Sequence, residues 1–333
     1  MINRLERRIA ILRGKRDGAF DPDQRYLERA WRARVTRQVR VHARRMEPVT
    51  VVTPRWSQPR RFLDDLSADL LLGEPSVVAR PLSLAPLQGR TPHQAWAWLV
   101  QAITEFCHLP LDGPAWQVVS RRGFRHVMAE LFARAEEGDR RRCLMIHGLE
   151  HIHVEALRDL IAVFSDHVDQ RAGEPRFNLL LCSGVDAEHF HFEGFRRVTL
   201  PDYGHEEAIE ALVEHIGPRE PGFLQALIEV VGGVPAFIDV LGSQPQRLAE
   251  VVADPDAVWR VLGATALDLR NAVEIATANP DAAARLEHLA REGEAPPSPI
   301  DTSLLDAGLI RRDPVGGRTR LRSPLIAHLL IDS

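Results

Sequence analysis

The chain has 333 residues and a mass of 37.4 kDa, of which 45% are hydrophobic and 26% charged, enough to bury a sizeable core in about two domains. No apolar run reaches the length a bilayer requires, which argues against membrane insertion, and the charged start MINRLERRIAILR is unlike a secretory signal, so a cytoplasmic protein is expected. Three cysteines (Cys107, Cys143, Cys182) without CxxC spacing exclude a disulfide framework and a zinc ribbon, leaving buried thiols.

The net charge of -4 conceals an asymmetry. Residues 1–47 carry 14 Lys+Arg against 6 Asp+Glu, leaving 28 against 40 for the remainder, so a +8 arm precedes a -12 body. That arm reads as two helices separated at Asp21-Pro22. Its charge fits contact with nucleic acid or an acidic partner equally as well as a solvated face in an arginine-rich chain, where Lys15 is the one lysine.

From residue 48 the pattern changes. Apolar strand-like runs at 49–53, 76–84, 143–147, 177–183 and 197–200 alternate with amphipathic helical stretches at 60–72, 92–107, 121–137 and 153–171. Strands without a polar face, alternating with helices, predict a parallel sheet covered on both sides over 48–202. Strands then stop. Helices are expected at 205–216, 221–231 and 235–242, forming a helical segment over 203–254. Over 255–333 a further helical region runs to about 292, where EGEAPPSP makes a loop. A helix opening on an Asp301 cap follows, then a short hairpin turning at 313–317 and a last apolar helix.

The stretch VTVVTPRWSQPRRFL at 49–63 has the strand, loop and helix order of a phosphate-binding loop without its chemistry. Against the pattern GxxxxGK(S/T), Thr53 and Gln58 stand at the glycines, Pro59 at the lysine and Arg60 at the hydroxyl, with Ser57 inside the loop. Pro54 and Pro59 have no NH to offer a phosphate and hold φ near -65°, while Pro59 suits the first turn of a helix capped by Ser57 or Gln58. The strand CLMIHGLEHI matches the acidic strand that binds magnesium and aims water. Here His147 and Gly148 replace its Asp and Glu, and Glu150 stands two residues too late. Lys15, in ILRGKRDGAF, follows a helix and lacks the other loop residues.

In element order, residues 48–333 resemble the AAA+ superfamily of P-loop ATPases, in particular its ORC-like and STAND branches. The resemblance implies an α/β P-loop NTPase-like parallel sheet, a helical lid over 203–254 and a C-terminal winged helix over 255–333. It implies a sensor-like position at Ser183, where FNLLLCSG ends, and a lid turn in VGGVPAFIDVLG with Gly233 and with Pro235 near an adenine, although a plain turn between packed helices explains Pro235 as well. In a winged helix, Arg311, Arg312, Arg318, Arg320 and Arg322 gather on the wing as contacts for DNA or a partner, whereas the helix before them, in DTSLLDAGLI, has two acids and no base to meet phosphates.

Rival chemistries are thinner. His147, His151 and His153 with Glu150 invite a metal, but a strand end and a helix start would have to aim all three at one point, and no metal site is expected. HFHF at 189–192 alternates faces, and Ser183 has neither a GxSxG elbow nor an assigned base. Trp96 and Trp98 fall on different sides of one helix, one for the core and one for a contact.

The reading is a pseudo-ATPase with no cofactor and no catalytic residue, an adaptor or scaffold for protein partners, such as an active ATPase or a multi-subunit complex, in a bacterial defence, mobile-element or secretion-type assembly. A DNA-associated regulator and an NTPase with an unorthodox loop are the alternatives.

Overall fold

In a computed structural model of the protein, residues 31–333 are described apart from 74–75, 110–119, 138, 172, 185–193, 313–316 and 332–333, and at 31–34 the backbone alone. Most of the basic arm, Lys15, the HFHF stretch and the expected hairpin turn lie outside the described residues. The chain divides into two units. The first comprises 35–53 and 59–199 of the described chain, the second 31–34, 54–58 and 200–333.

The first unit is a five-stranded sheet, β1 (Val49–Val52), β2 (Val77–Ser83), β3 (Arg141–His147), β4 (Phe177–Ser183) and β5 (Arg196–Thr199), in spatial order β2-β3-β4-β1-β5. Every pairing is parallel. The helices α1 (Trp31–Arg44), α2 (Pro59–Gly73), α3 (Pro92–Cys107), α4 (Arg121–Glu137) and α5 (Val154–Gln170) accompany it. All residues of β1 and β4 are buried, as their unbroken apolar runs require when both faces are covered, whereas the edge strands β2 and β5 expose several. Phe132, Phe164 and Phe177 pack ring against ring between α4, α5 and β4, with centroids 5.0 to 6.1 Å apart. Asn178, buried in β4, donates to the Glu47 carbonyl at 2.9 Å, tying the end of α1 to the sheet. The three thiols are buried and free; burial pushes Cys107 to about 11 and Cys143 to about 12.

The second unit is helical: α6 (His205–Ile216), α7 (Pro221–Val231), α8 (Pro235–Ser243), α9 (Leu248–Ala253), α10 (Ala257–Leu262), α11 (Ala264–Thr277) and α12 (Pro280–Glu292). Then come α13 (Asp301–Asp306), an antiparallel hairpin of β6 (Ile310–Arg312) and β7 (Thr319–Leu321), and α14 (Pro324–Ile331). One continuous apolar core, including Leu212, Leu227, Phe237, Val261, Leu286 and Ile326, runs through these helices. Asp301 is the first helical residue of α13 rather than its cap, a role held by Ile300. Its buried carboxylate instead accepts from Arg285 at 2.8 Å, the Ser298 NH at 2.9 Å and the Thr319 hydroxyl at 2.8 Å. Burial opposes ionisation of Asp301, yet these donors outweigh it and hold the carboxyl below its ordinary value. The pair pins the hairpin to α12.

Candidate functional site

Open parallel sheets present ligands at the carboxyl ends of their strands, and of the residues singled out by sequence Thr53, His147, Gly148 and Ser183 stand at or just past those ends. Just past the carboxyl end of β1 stands Thr53, buried, whose NH and hydroxyl both donate to the Ser183 carbonyl at 2.6 and 2.8 Å. The Ser183 hydroxyl donates onward to the Gly184 carbonyl at 2.9 Å. Thr53 and Ser183 thus lock the ends of β1 and β4 together, the hydroxyls facing protein carbonyls.

The five residues that follow, Pro54–Gln58, pack as part of the second unit. Trp56 and Gln58 adopt left-handed backbone, with φ of 65° and 54°, a conformation that is strained for side chains with a Cβ. Three sets of interactions hold them there. The Trp56 ring lies 5.7 Å from the Phe237 ring, and the Trp56 carbonyl accepts from the Ala236 NH at 3.0 Å. Asp268 of α11 accepts from the Trp56 indole NH at 2.8 Å and from the Arg55 guanidinium.

The third is Arg322. Its side chain is 2% exposed and forms an ion pair with Asp202, 4% exposed, at 2.7 to 3.0 Å. The same guanidinium donates to the Ser57 hydroxyl at 3.1 Å and to the Arg55 carbonyl. A planar fork of donors is suited to such simultaneous bonding of a carboxylate, a carbonyl and a hydroxyl. Arg322 was expected on the wing, open to a partner. It is buried instead, because it stands just past β7 and turns into the core to meet Asp202.

Gly233 and Pro235 belong to the same assembly. A Cβ on Gly233 would stand 2.0 Å from the Tyr203 carbonyl oxygen, and the Gly233 carbonyl accepts from the Tyr203 NH at 2.9 Å, so this close approach demands glycine. Pro235 is buried at the first position of α8, and the next NH, that of Ala236, is the one spent on Trp56. Of the other wing residues, Arg318 pairs with Glu294, Arg312 is exposed on β6, and Arg311 and Arg320 oppose each other across the hairpin.

In the first unit, α2 begins at Pro59, which therefore opens the helix as its fixed φ favours, with exposed Arg60 in the first turn. His147 ends β3 and its carbonyl accepts from the Leu84 NH at 2.9 Å. Burial lowers the basicity of the His147 imidazole, the Arg60 charge lowers it further, and Asp64 and Glu150 counter only in part. Gly148 is left-handed with φ 76°, and a Cβ there would meet the His151 ring at 3.1 Å. A 3-10 turn follows, in which His151 Nε2 lies 3.4 Å from the Glu150 carboxylate. His153 points to neither of them; its Nδ1 accepts from the Glu155 NH and caps α5. Among the described residues no group of three His, Cys, Asp or Glu side chains could hold a metal ion.

Sequence reading located this loop but missed Asp202, Asp268 and Phe237. Asp202, in LPDYG directly after β5, is the one a reader could have flagged, being an acid in a turn beside a strand end. Its arginine, 120 positions later, carries no local signal.

No family model matches the sequence, and no curated protein matches it. Among solved structures, a Walker-type ATPase of Pyrococcus abyssi has a TM-score of 0.60 over 90% of this chain and 95% of its own, at 12% identity. Cdc6p from Pyrobaculum aerophilum gives 0.48 over 95% and 98%, at 14% identity, and the fold assignment rests on the first structure alone. Among the described residues no helix is long and apolar enough to cross a membrane. With five parallel strands in this order and that likeness over nine tenths of its length, the chain has the fold of that Walker-type ATPase, with the parallel sheet expected from the order of its elements.

Proposed function

We propose that the protein is a pseudo-ATPase: an AAA+-like chain that works through protein contacts, as an adaptor or scaffold in a larger bacterial assembly, and does not hydrolyse ATP. The observation that carries this reading is the Arg322 guanidinium. In the segment where a phosphate-binding loop would turn backbone donors and a lysine toward a triphosphate, the Arg55 carbonyl and the Ser57 hydroxyl accept from Arg322, whose charge is matched by Asp202. A phosphate placed there would have to displace a buried carboxylate from a buried guanidinium. The positions of the magnesium-handling acids, His147 and Gly148, offer an imidazole biased toward neutrality and no side chain.

The C-terminal helices and hairpin, read as a winged helix, fit a partner-facing module better than a DNA-binding one. Arg322 is withdrawn into the core, Arg318 is paired with Glu294, and α13 carries Asp301 and Asp306 without a base.

Titration of the full chain with a fluorescent ATP analogue, with and without magnesium, tests the proposal. The expected result is no saturable binding under either condition. Tight, magnesium-dependent occupancy would overturn it. Steep salt-dependent binding to random duplex DNA would move the wing and the basic arm back into a nucleic-acid role.

A further inference from the structure

The fold divides Trp96 and Trp98 as their spacing on α3 predicts. Trp96 is buried against Phe124, whereas Trp98 is half-buried on a stripe that continues through Gln101 and Glu105, one helical turn apart each time. Between that stripe and the edge strand β2 lies a cleft of about 220 Å³. Its base is apolar, formed by buried Leu144 of β3 and buried Phe106, and its flanks are the Trp98 indole and Leu82. Arg80 is in register with Leu144, and Leu82 is two residues on, so all three project from one face of the sheet.

Two exposed charges line the same cleft, Arg80 from the strand side and Glu105 from the helix side, and they do not pair with each other. The Arg80 guanidinium has no acceptor among the described residues. One Glu105 oxygen accepts from the Gln101 amide at 2.9 Å, which orients the carboxylate and leaves its second oxygen open.

We propose that this cleft binds a free α-amino acid with a large apolar side chain, its carboxylate against Arg80, its ammonium against Glu105 and its side chain between Trp98 and Leu82. A guanidinium offers a carboxylate two parallel donors. The apolar base beside both charges weakens their screening by water, and the indole gives an apolar side chain a flat surface to cover. Neither charge alone would select this class. A simple anion is repelled by Glu105, a simple cation by Arg80, and a neutral molecule leaves both unmatched. The volume equals that of about seven waters at roughly 30 Å³ each, and it lies below the roughly 300–1,000 Å³ of drug-sized pockets, so one amino acid fits and a nucleotide does not. Every lining residue belongs to the first unit, and titration with ATP has no bearing on the inference.

Isothermal titration calorimetry of the full chain with L-phenylalanine should show one saturable site, with a Kd at or below about 1 mM. L-Phenylalaninamide, which lacks the carboxylate, and N-acetyl-L-phenylalanine, which lacks the ammonium, should each bind at least about tenfold more weakly. Arg80→Ala should weaken phenylalanine at least about tenfold without weakening the amide, which has no carboxylate to lose. Glu105→Gln should weaken phenylalanine likewise without weakening the acetylated form. Both side chains are exposed, so thermal unfolding of each variant should match the parent, which separates lost binding from lost folding. Binding should also change the intrinsic tryptophan fluorescence, and Trp98→Phe should abolish that change. No saturation up to about 10 mM, an amide as tight as the free amino acid, or indifference to Arg80→Ala would each overturn the proposal. So would N-acetyl-L-phenylalaninamide, a mimic of a residue within a peptide, binding as tightly as phenylalanine, a result that would assign the cleft to a partner's side chain.

Discussion

The loops after β1 and β3 stand, in the order of elements, where a P-loop ATPase handles its phosphates and its magnesium, and they are built in different ways. The loop after β1 is held by side-chain contacts. Its polar groups are engaged by Arg322, Asp202 and Asp268, and two non-glycine residues are held in left-handed backbone by the packing of Trp56 on Phe237. The loop after β3 is simpler. A strand ends on a half-buried imidazole, a glycine turns the chain, and each nearby histidine serves a local contact. Backbone donors and acceptors that are buried must find partners, whereas side chains at a strand end can be replaced singly. Strain retained at Trp56 and Gln58 marks the first loop as held by its surroundings rather than by local preference.

Breaking the loop after β1 should cost the most. Arg322→Ala leaves Asp202 buried without its counter-charge and frees the Ser57 hydroxyl and the Arg55 carbonyl, so a loss of about 3–5 kcal/mol is expected, read as a lower midpoint in urea unfolding. A loss below about 1 kcal/mol would mean the guanidinium does not organise the loop. Next in size is the second loop's one strict requirement. Gly148→Ala should cost about 1–2 kcal/mol, because alanine resists φ 76° and its Cβ would crowd the His151 ring; the same urea midpoint measures it.

Gln58→Gly sharpens the contrast in the opposite direction. Relief of left-handed strain at φ 54° outweighs the added freedom of the unfolded chain, for a gain of about 0.5 kcal/mol in unfolding free energy. If it destabilises instead, the Gln58 side chain contributes more than its backbone strain subtracts. The smallest effect is the pH response of His147. Its folded basicity lies below the ordinary 6.5, so the unfolded chain takes up the proton first, and stability present above pH 6.5 should decline as pH falls through that value. His147→Gln should flatten this part of the midpoint-versus-pH curve relative to the parent.

Much of the molecule was open to sequence reading, and the reason is local. Expected helices at 92–107, 121–137, 205–216 and 221–231 coincide with α3, α4, α6 and α7, since the Thr91 capping box, first-turn prolines and glycine stops are short-range signals. The buried strands were legible because a parallel sheet with both faces covered writes uninterrupted apolar runs. Less was legible in the tail. Asp301 reads as a cap from its neighbours, but its carboxylate is spent on Arg285 and Thr319, one before it and one after it by more than a dozen residues.

What the amino-acid order determined alone is the alternation of elements that makes the sheet, and with it the strand, loop and helix order over 49–63. It could not say which partners the loop residues take. Only tertiary structure brings Arg322 to Ser57, across 265 positions, and Asp268 to Trp56 across 212, because a buried polar group takes whichever partner the folded chain supplies, and that choice is written in packing rather than in sequence spacing.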